Sequence, residues 1–112
     1  MNFLKGKITS ITNNIAHIDV NGVDITTESF EAITIGNQCK VILRPESISL
    51  QEKGILPCKV ILSTFMGAYQ YYQVDVNGKM IKITDYNPKQ HKLYNVGEKA
   101  FLYFKSNNLH VI

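Results

Sequence analysis

The sequence predicts an all-β protein built from two small β-barrel units, and two observations lead to this fold class: β-prone runs separated by turn residues, and an internal duplication. Valine, isoleucine, leucine and aromatic residues dominate the longer runs, and no segment keeps a helical spacing of apolar residues for three turns. The apolar fraction of 45% can supply a core without a disulfide framework. Short helical turns are expected only at residues 28–33 and 89–94.

Two hairpins carry the most specific turn signal in the chain. In each, an alternating apolar and polar run reaches an Asn-Gly pair and then resumes. Such a pair accepts the positive φ values that a two-residue hairpin turn needs. The hairpins are predicted at residues 15–25, around Asn21-Gly22, and at residues 72–84, around Asn77-Gly78. Further strands are predicted at residues 40–44, 59–65 and 99–105.

The two halves of the chain match on several features in the same order. The matches are Lys7-Ile8 with Lys59-Val60, Val20-Asn21-Gly22 with Val76-Asn77-Gly78, Ile35-Gly36 with Val96-Gly97, residues 40–44 with 101–105, and Ile48 and Leu50 with Leu109 and Val111. The growing offset between the copies is what loop insertions produce, with chance similarity between β-rich segments as the alternative. Copies of this size bury little alone, so we expect the repeats, about 1–50 and 55–112, to share or exchange a strand.

Several kinds of chemistry are disfavoured. Neither Gly6-Lys7 nor Gly78-Lys79 continues into the Ser or Thr of a phosphate loop, and the three histidines lack metal-ligand spacing. Cys39 and Cys58 stand in apolar stretches, which favours buried thiols over a disulfide. No apolar run approaches the roughly 18 residues needed to cross a bilayer, and no export signal opens the chain. We expect a soluble, unexported, non-catalytic protein without a cofactor or metal.

Charge is unevenly distributed along the chain. Residues 1–56 carry five basic and six acidic side chains, whereas residues 57–112 carry seven and three. Any preference for anions is therefore expected in the second half. Tyrosines at 69, 71 and 72 near lysines could stack the bases of a single-stranded nucleic acid, but the weak net charge favours ordinary core and rim tyrosines. Alternation along residues 71–76 places Tyr72 on the more apolar face.

Two further segments suggest contacts or turns. Residues 101–104 form a continuous apolar run, which predicts burial on both faces or an interface with another protein. The candidate interface residues are Tyr69, Tyr71, Phe101 and Tyr103. Arg44-Pro45-Glu46 ends an apolar strand, where we expect a turn with a local ion pair. Gly67 precedes the tyrosine-rich strand and is expected to need a positive φ.

At these motifs the sequence resembles the transport-associated OB-like (TOBE) domain, the carboxy-terminal region of the ATP-binding subunits of bacterial importers for maltose, spermidine and ferric iron. The resemblance covers nearly the whole chain. It is carried by Asn2-Phe3-Leu4 with Gly6-Lys7-Ile8, by the apolar strand ending in Arg44-Pro45-Glu46, by Phe65-Met66-Gly67 with Tyr71 and Tyr72, and by Asn95-Val96-Gly97-Glu98 leading into residues 100–104.

The resemblance implies tandem OB-like units spanning residues 1–112 as a regulatory domain, with the nucleotide-binding domain absent from this chain. It implies a homodimer of the parent ATPase that limits how far the nucleotide-binding domains separate, permease subunits as partners, signals from a solute or regulatory protein, and a place on the inner face of the membrane. A structural role is implied for the motif residues Asn2, Gly6, Arg44, Pro45, Glu46, Gly67 and Gly97. A related branch, which binds molybdate or tungstate, is the alternative.

Overall fold

The computed structural model describes residues 2–28, 36–105 and 109–112. Over these residues it holds ten strands and one short 3-10 helix, Pro45–Ser47. No helix among them is long and apolar enough to cross a membrane. The strands are β1 (Asn2–Thr12), β2 (Ile15–Val20), β3 (Val23–Thr27), β4 (Gln38–Leu43), β5 (Ser49–Gln51), β6 (Leu56–Phe65), β7 (Gln70–Val76), β8 (Lys79–Asp85), β9 (Lys99–Tyr103) and β10 (Leu109–Val111).

The chain divides into two compact units, each with one five-stranded antiparallel sheet. Unit 1 comprises Met1–Leu43 with Lys105–Ile112, and unit 2 comprises Arg44–Phe104. The strand order is β10-β4-β1-β2-β3 in unit 1 and β5-β9-β6-β7-β8 in unit 2. Each sheet is curled into a half-barrel, so the predicted fold class, tandem OB-like β units, is confirmed.

Local backbone features repeat between the units. The pairing of β1 with β2 slips after Ile8, where a bulge precedes Ser10, and β6 slips at the corresponding place, after Val60. The N–H of Gly36 donates to the carbonyl of Ile8 at 2.8 Å, and the N–H of Gly97 donates to that of Val60 at 2.8 Å. A bulge and its bonding partner are specific backbone features, and their recurrence supports the internal duplication.

Each sheet is completed by the last strand of the other repeat. Leu109 of β10 lies opposite Leu43 of β4, and Leu50 of β5 lies opposite Leu102 of β9. The compact units therefore differ from the sequence repeats, because the segment after β4 belongs to unit 2 and the last eight residues belong to unit 1. This is the strand exchange expected from the small size of each copy.

Alternation along the strands separates core from surface. In β7, Tyr72, Val74 and Val76 are buried, while Tyr71 and the other intervening side chains are partly exposed, so the predicted core face is correct. Both hairpin turns also form, and their asparagine and glycine residues adopt positive φ. The core includes Ile8, Ile18, Val20, Val41 and Leu43 in unit 1, and Val60, Ile81, Ile83 and Leu102 in unit 2.

The expected helical turns have two outcomes. Residues 89–94 form no helix: the N–H of Gln90 donates to the carbonyl of Asn87 at 3.0 Å in a single turn. The Asp85 carboxylate explains this, because it accepts the N–H of Asn87 and lies 2.9 Å from Nδ1 of His91, which holds the segment as a loop. The other expected turn, at residues 28–33, falls on residues outside the described ranges except for its first.

Candidate functional site

The Arg-Pro-Glu segment forms the start of the 3-10 helix. Pro45 occupies the first turn, and the N–H of Ser47 donates to the carbonyl of Arg44 at 3.0 Å. The expected ion pair is not observed, since no ion pair in the described part of the chain joins Arg44 to Glu46. Arg44 is the N-cap residue of this helix and has the extended backbone that a residue before proline favours. The helix packs against β8, which agrees with a structural role.

The other motif residues also meet backbone or packing requirements. Asn2 is buried. A Cβ added at Gly6 would stand 2.5 Å from the Cγ2 atom of Ile18, so β1 has no room for a side chain at this position. Gly67 and Gly97 have φ values of 92° and 91°, which L side chains rarely adopt. The structural role assigned to these positions stays a prediction, and their geometry is compatible with it.

The predicted interface residues do not form one patch. Phe101 lies on β9 opposite Pro57 of β6, and Tyr71 lies on β7 opposite Thr64 of β6. Seven positions along β6 separate these pairings, which corresponds to roughly 20 Å. Tyr103 lies with Phe101 on β9 and is 39% exposed. The aromatic side chains of β9 and those at the start of β7 are therefore separate surfaces.

Large apolar and aromatic side chains lie near the turn between β6 and β7, and among them the sequence indicated only Tyr69 as an interface residue. Phe65, Met66 and Tyr86 are 63%, 52% and 60% exposed. The rings of Tyr69 and Tyr86 are 5.5 Å apart and tilted by 60°, and the N–H of Met66 donates to the carbonyl of Tyr69 at 2.8 Å across the turn. We call Phe65, Met66, Tyr69 and Tyr86 the apolar tip. Its sequence signal is the complete lack of charged residues from 60 to 74.

Unit 1 carries a different kind of surface, formed by two lysines. Lys5 of β1 lies directly opposite Lys40 of β4. On the side of β4 away from β1, the N–H of Lys40 donates to the carbonyl of Ile112 at 2.9 Å, and the N–H of Ile112 donates to the carbonyl of Lys40 at 3.1 Å. Lys5 and Lys40 are therefore a non-hydrogen-bonded pair, the closer of the two antiparallel geometries. Together with Gln38, Cys39 and Ile112 they line a surface depression of about 340 Å³.

Both cysteines are buried free thiols. Burial raises the pKa of the Cys58 thiol to about 11, with partial opposition from the backbone hydrogen bond at Ala100. Burial also raises the pKa of Cys39. Both groups are thiols rather than thiolates near neutral pH, and thiols are poor nucleophiles. Within the described ranges, no cluster of three or more His, Cys, Asp or Glu side chains is placed to hold a metal ion.

The two repeated sheets define a duplicated OB-like module. The sequence profile of the TOBE domain matches residues 41–112, so the chain belongs to the TOBE domain family. Its fold is similar to that of the cytoplasmic molybdate-binding protein ModG in a crystal form with molybdate bound. That comparison has a TM-score of 0.71, covers 98% of this chain and 94% of the other, and has 13% sequence identity. No curated protein matches the sequence.

Proposed function

We propose that this TOBE domain is the non-catalytic regulatory and dimerisation domain of an ABC importer ATPase on the inner face of the membrane. Two such domains in contact would limit the separation of the nucleotide-binding domains that drive the permease subunits. A partner or solute that binds one state of this contact better than another would bias the transport cycle by that difference in affinity. Family membership and the motifs that resemble importer ATPases support the proposal.

The apolar tip is the observation that carries the proposal. In a two-fold symmetric dimer the same patch lies on both partners, so a residue near the axis faces its own copy, and a charge there meets a like charge. Residues 60–74 hold no charged side chain, so the β6–β7 part of the tip can meet its own copy without such repulsion. Asp85, next to Tyr86, is only 16% exposed and is paired with His91. Exposed Phe65 and Met66 supply the apolar area that favours association. We therefore propose a second copy of this chain as the occupant of the tip.

The size of the tip limits the strength of this contact. A stable interface buries about 1,200 Å² or more in total, which four side chains on each partner do not reach. Self-association of the isolated chain should therefore be weak. In the parent ATPase, two tips held near each other by larger subunits would contact at a high effective concentration. The second aromatic surface, Phe101 and Tyr103 on β9, remains a further candidate for this or another protein partner.

Sedimentation equilibrium of the isolated chain tests the tip. We expect the apparent mass to rise above that of the monomer as the concentration approaches about 1 mM. Replacing Phe65 and Met66 together by serine should raise the dimer dissociation constant at least about tenfold. Met80→Ser is the matched control, because Met80 is 43% exposed and lies opposite Asp75, far along β7 from the tip. A strict monomer, or equal association of the tip variant, would contradict this interface.

The importer context has a separate test. The reading frame that encodes this domain in its native gene should contain a phosphate-loop motif upstream of it, since the parent ATPase binds nucleotide. A frame without that motif would contradict the importer assignment. It would leave the self-association of the domain as an independent result.

Small-anion sensing is the second candidate function, and the Lys5–Lys40 pair favours it. The structurally similar ModG is named as a molybdate-binding protein, although 13% identity relates the two proteins by fold alone. Thermal unfolding in the presence of molybdate, sulfate, organic carboxylates, polyamines and sugars tests this candidate, because any ligand of the native state raises the unfolding temperature. A rise in the unfolding temperature with the anions alone supports anion sensing. An unfolding temperature that no anion changes contradicts it.

A further inference from the structure

We infer that Lys5 and Lys40 form the binding site of a small organic dianion, a molecule with two carboxylate or phosphoryl groups on a short apolar body. This inference deepens the anion-sensing candidate, on which it rests only for the premise that the domain binds an anion. It names the location in unit 1 and the chemical class of the ligand.

The pairing of Lys5 with Lys40 sets two positive charges side by side. Like charges directly opposite each other on adjacent strands destabilise a sheet, and the non-hydrogen-bonded geometry of Lys5 and Lys40 brings them especially close. Among the residues that the structure describes, no carboxylate lies within ion-pair distance of either ammonium group. A bound anion would relieve the repulsion, and two adjacent positive charges favour a dianion over a monoanion.

The surroundings of the pair favour an organic ligand. The Gln38 amide at the rim can donate further hydrogen bonds to ligand oxygens. The Nζ atom of Lys40 lies 5.3 Å from the centre of the Phe3 ring, a cation–π contact that orders the side chain. Ile112 and Cys39 add apolar lining to the depression. A two-carbon or three-carbon chain between carboxylates can cover that lining, whereas sulfate or molybdate has no apolar part to place there.

A second lysine pair in unit 2 shows what distinguishes this one. Lys59 and Lys99 also lie directly opposite each other, on β6 and β9. Lys59 has Asp75 directly opposite it on its other side, whereas the carboxylate of Asp19 lies one pair away from Lys5, opposite Lys7. A negative charge at that distance repels an anion. The pair in unit 2 therefore offers a matched control with the same loss of charge and a weaker expected effect.

Titration of the isotope-labelled protein, followed by backbone amide NMR at low ionic strength, tests the site. The ligands are succinate, butyrate, sulfate and molybdate. We expect succinate to shift amides around Lys5, Cys39 and Lys40 and to bind at least about tenfold more tightly than butyrate or sulfate. Lys5→Ala and Lys40→Ala should each lower the affinity for succinate about tenfold, and added salt should lower it further. Lys99→Ala should change the affinity for succinate less than about twofold.

The outcomes separate the site from the broader anion-sensing function. Equal succinate affinity in wild type, Lys5→Ala and Lys40→Ala overturns the site, and sulfate or molybdate bound as tightly as succinate overturns its organic ligand class. Molybdate binding that survives both substitutions overturns the site but preserves anion sensing elsewhere on the domain. Absence of binding by all four anions contradicts both. Both lysines are exposed, so the native amide spectrum of each variant provides the folding control.

Discussion

The Tyr72 hydroxyl accepts a hydrogen bond from the backbone N–H of Tyr94, with 3.3 Å between oxygen and nitrogen. Tyr72 lies on β7 in the core of unit 2, and Tyr94 lies in the long connection between β8 and β9. Both residues are 3% exposed. This bond attaches an otherwise loop-like segment to the sheet, because an amide at this depth has little water as an alternative partner.

Removal of this acceptor should destabilise the protein. Tyr72→Phe leaves the amide of Tyr94 buried without its partner, and we expect a loss of about 1–2 kcal/mol in the free energy of unfolding. Tyr71→Phe is the control: its hydroxyl accepts from Nε2 of Gln73 at 3.1 Å on the partly exposed face, where water can replace it. Urea unfolding measures both changes. Equal losses for the two variants would show that the buried amide is not specifically dependent on Tyr72.

The Cys58 thiol predicts a loss of stability in alkali. Its pKa is raised from 9.0 to about 11 in the folded chain, so above pH 9 the unfolded state loses this proton while the folded state keeps it. The stabilising difference is complete below pH 9 and is lost as the pH rises to about 11, by at most about 2–3 kcal/mol. Cys58→Ala should show a shallower decline over that interval in urea unfolding. Identical slopes would contradict the assignment to Cys58.

The exchanged strand β10 predicts that a change near the chain end weakens the sheet of unit 1. Leu109 is 3% exposed and lies opposite Leu43. Leu109→Ala should cost about 2–4 kcal/mol through lost burial and a residual cavity. Hydrogen exchange should accelerate most in β4 and β1, while β9 keeps more of its protection. Faster exchange in β9 than in β4 would be incompatible with the observed pairing.

The lysine pair predicts a gain in stability on neutralisation. Without a ligand, Lys5→Gln removes the charge opposite Lys40 and should stabilise the protein by about 0.2–1 kcal/mol at low salt. The gain should shrink as salt screens the repulsion. Lys40→Gln should gain less, because it also loses the cation–π contact with Phe3. Thermal unfolding measures both variants, and destabilisation by Lys5→Gln would argue against repulsion between the two side chains.

Local signals predicted the parts of the fold that depend on neighbouring residues. The Asn-Gly turns need positive φ wherever they stand, so both hairpins follow from their own residues. Alternation along 71–76 likewise identified the buried side of β7. The helical turn predicted at residues 89–94 is wrong, because contacts of Asp85 with Asn87 and His91 shape that loop.

The candidate sites were less accessible from the sequence, because each one joins separate segments. Counting charge by halves placed the expected anion preference after residue 56, yet pairing of β1 with β4 sets Lys5 against Lys40 in unit 1. The apolar tip likewise needs Tyr86 beside Tyr69 across the β7–β8 hairpin. A net charge or an apolar run along the chain contains no information about which strand becomes its neighbour.

The amino-acid sequence alone determined the strand content, the turns, the duplication and the resemblance to TOBE domains. These properties depend on residues that are adjacent in the chain or on the repetition of such residues. The tertiary structure decided which strand completes which sheet and which side chains meet across it. Strand exchange between the repeats depends on pairing over long sequence separations, whose free energy is shared among many residues. The exchange places Leu109 against Leu43, and the pairing of β1 with β4 sets Lys5 opposite Lys40.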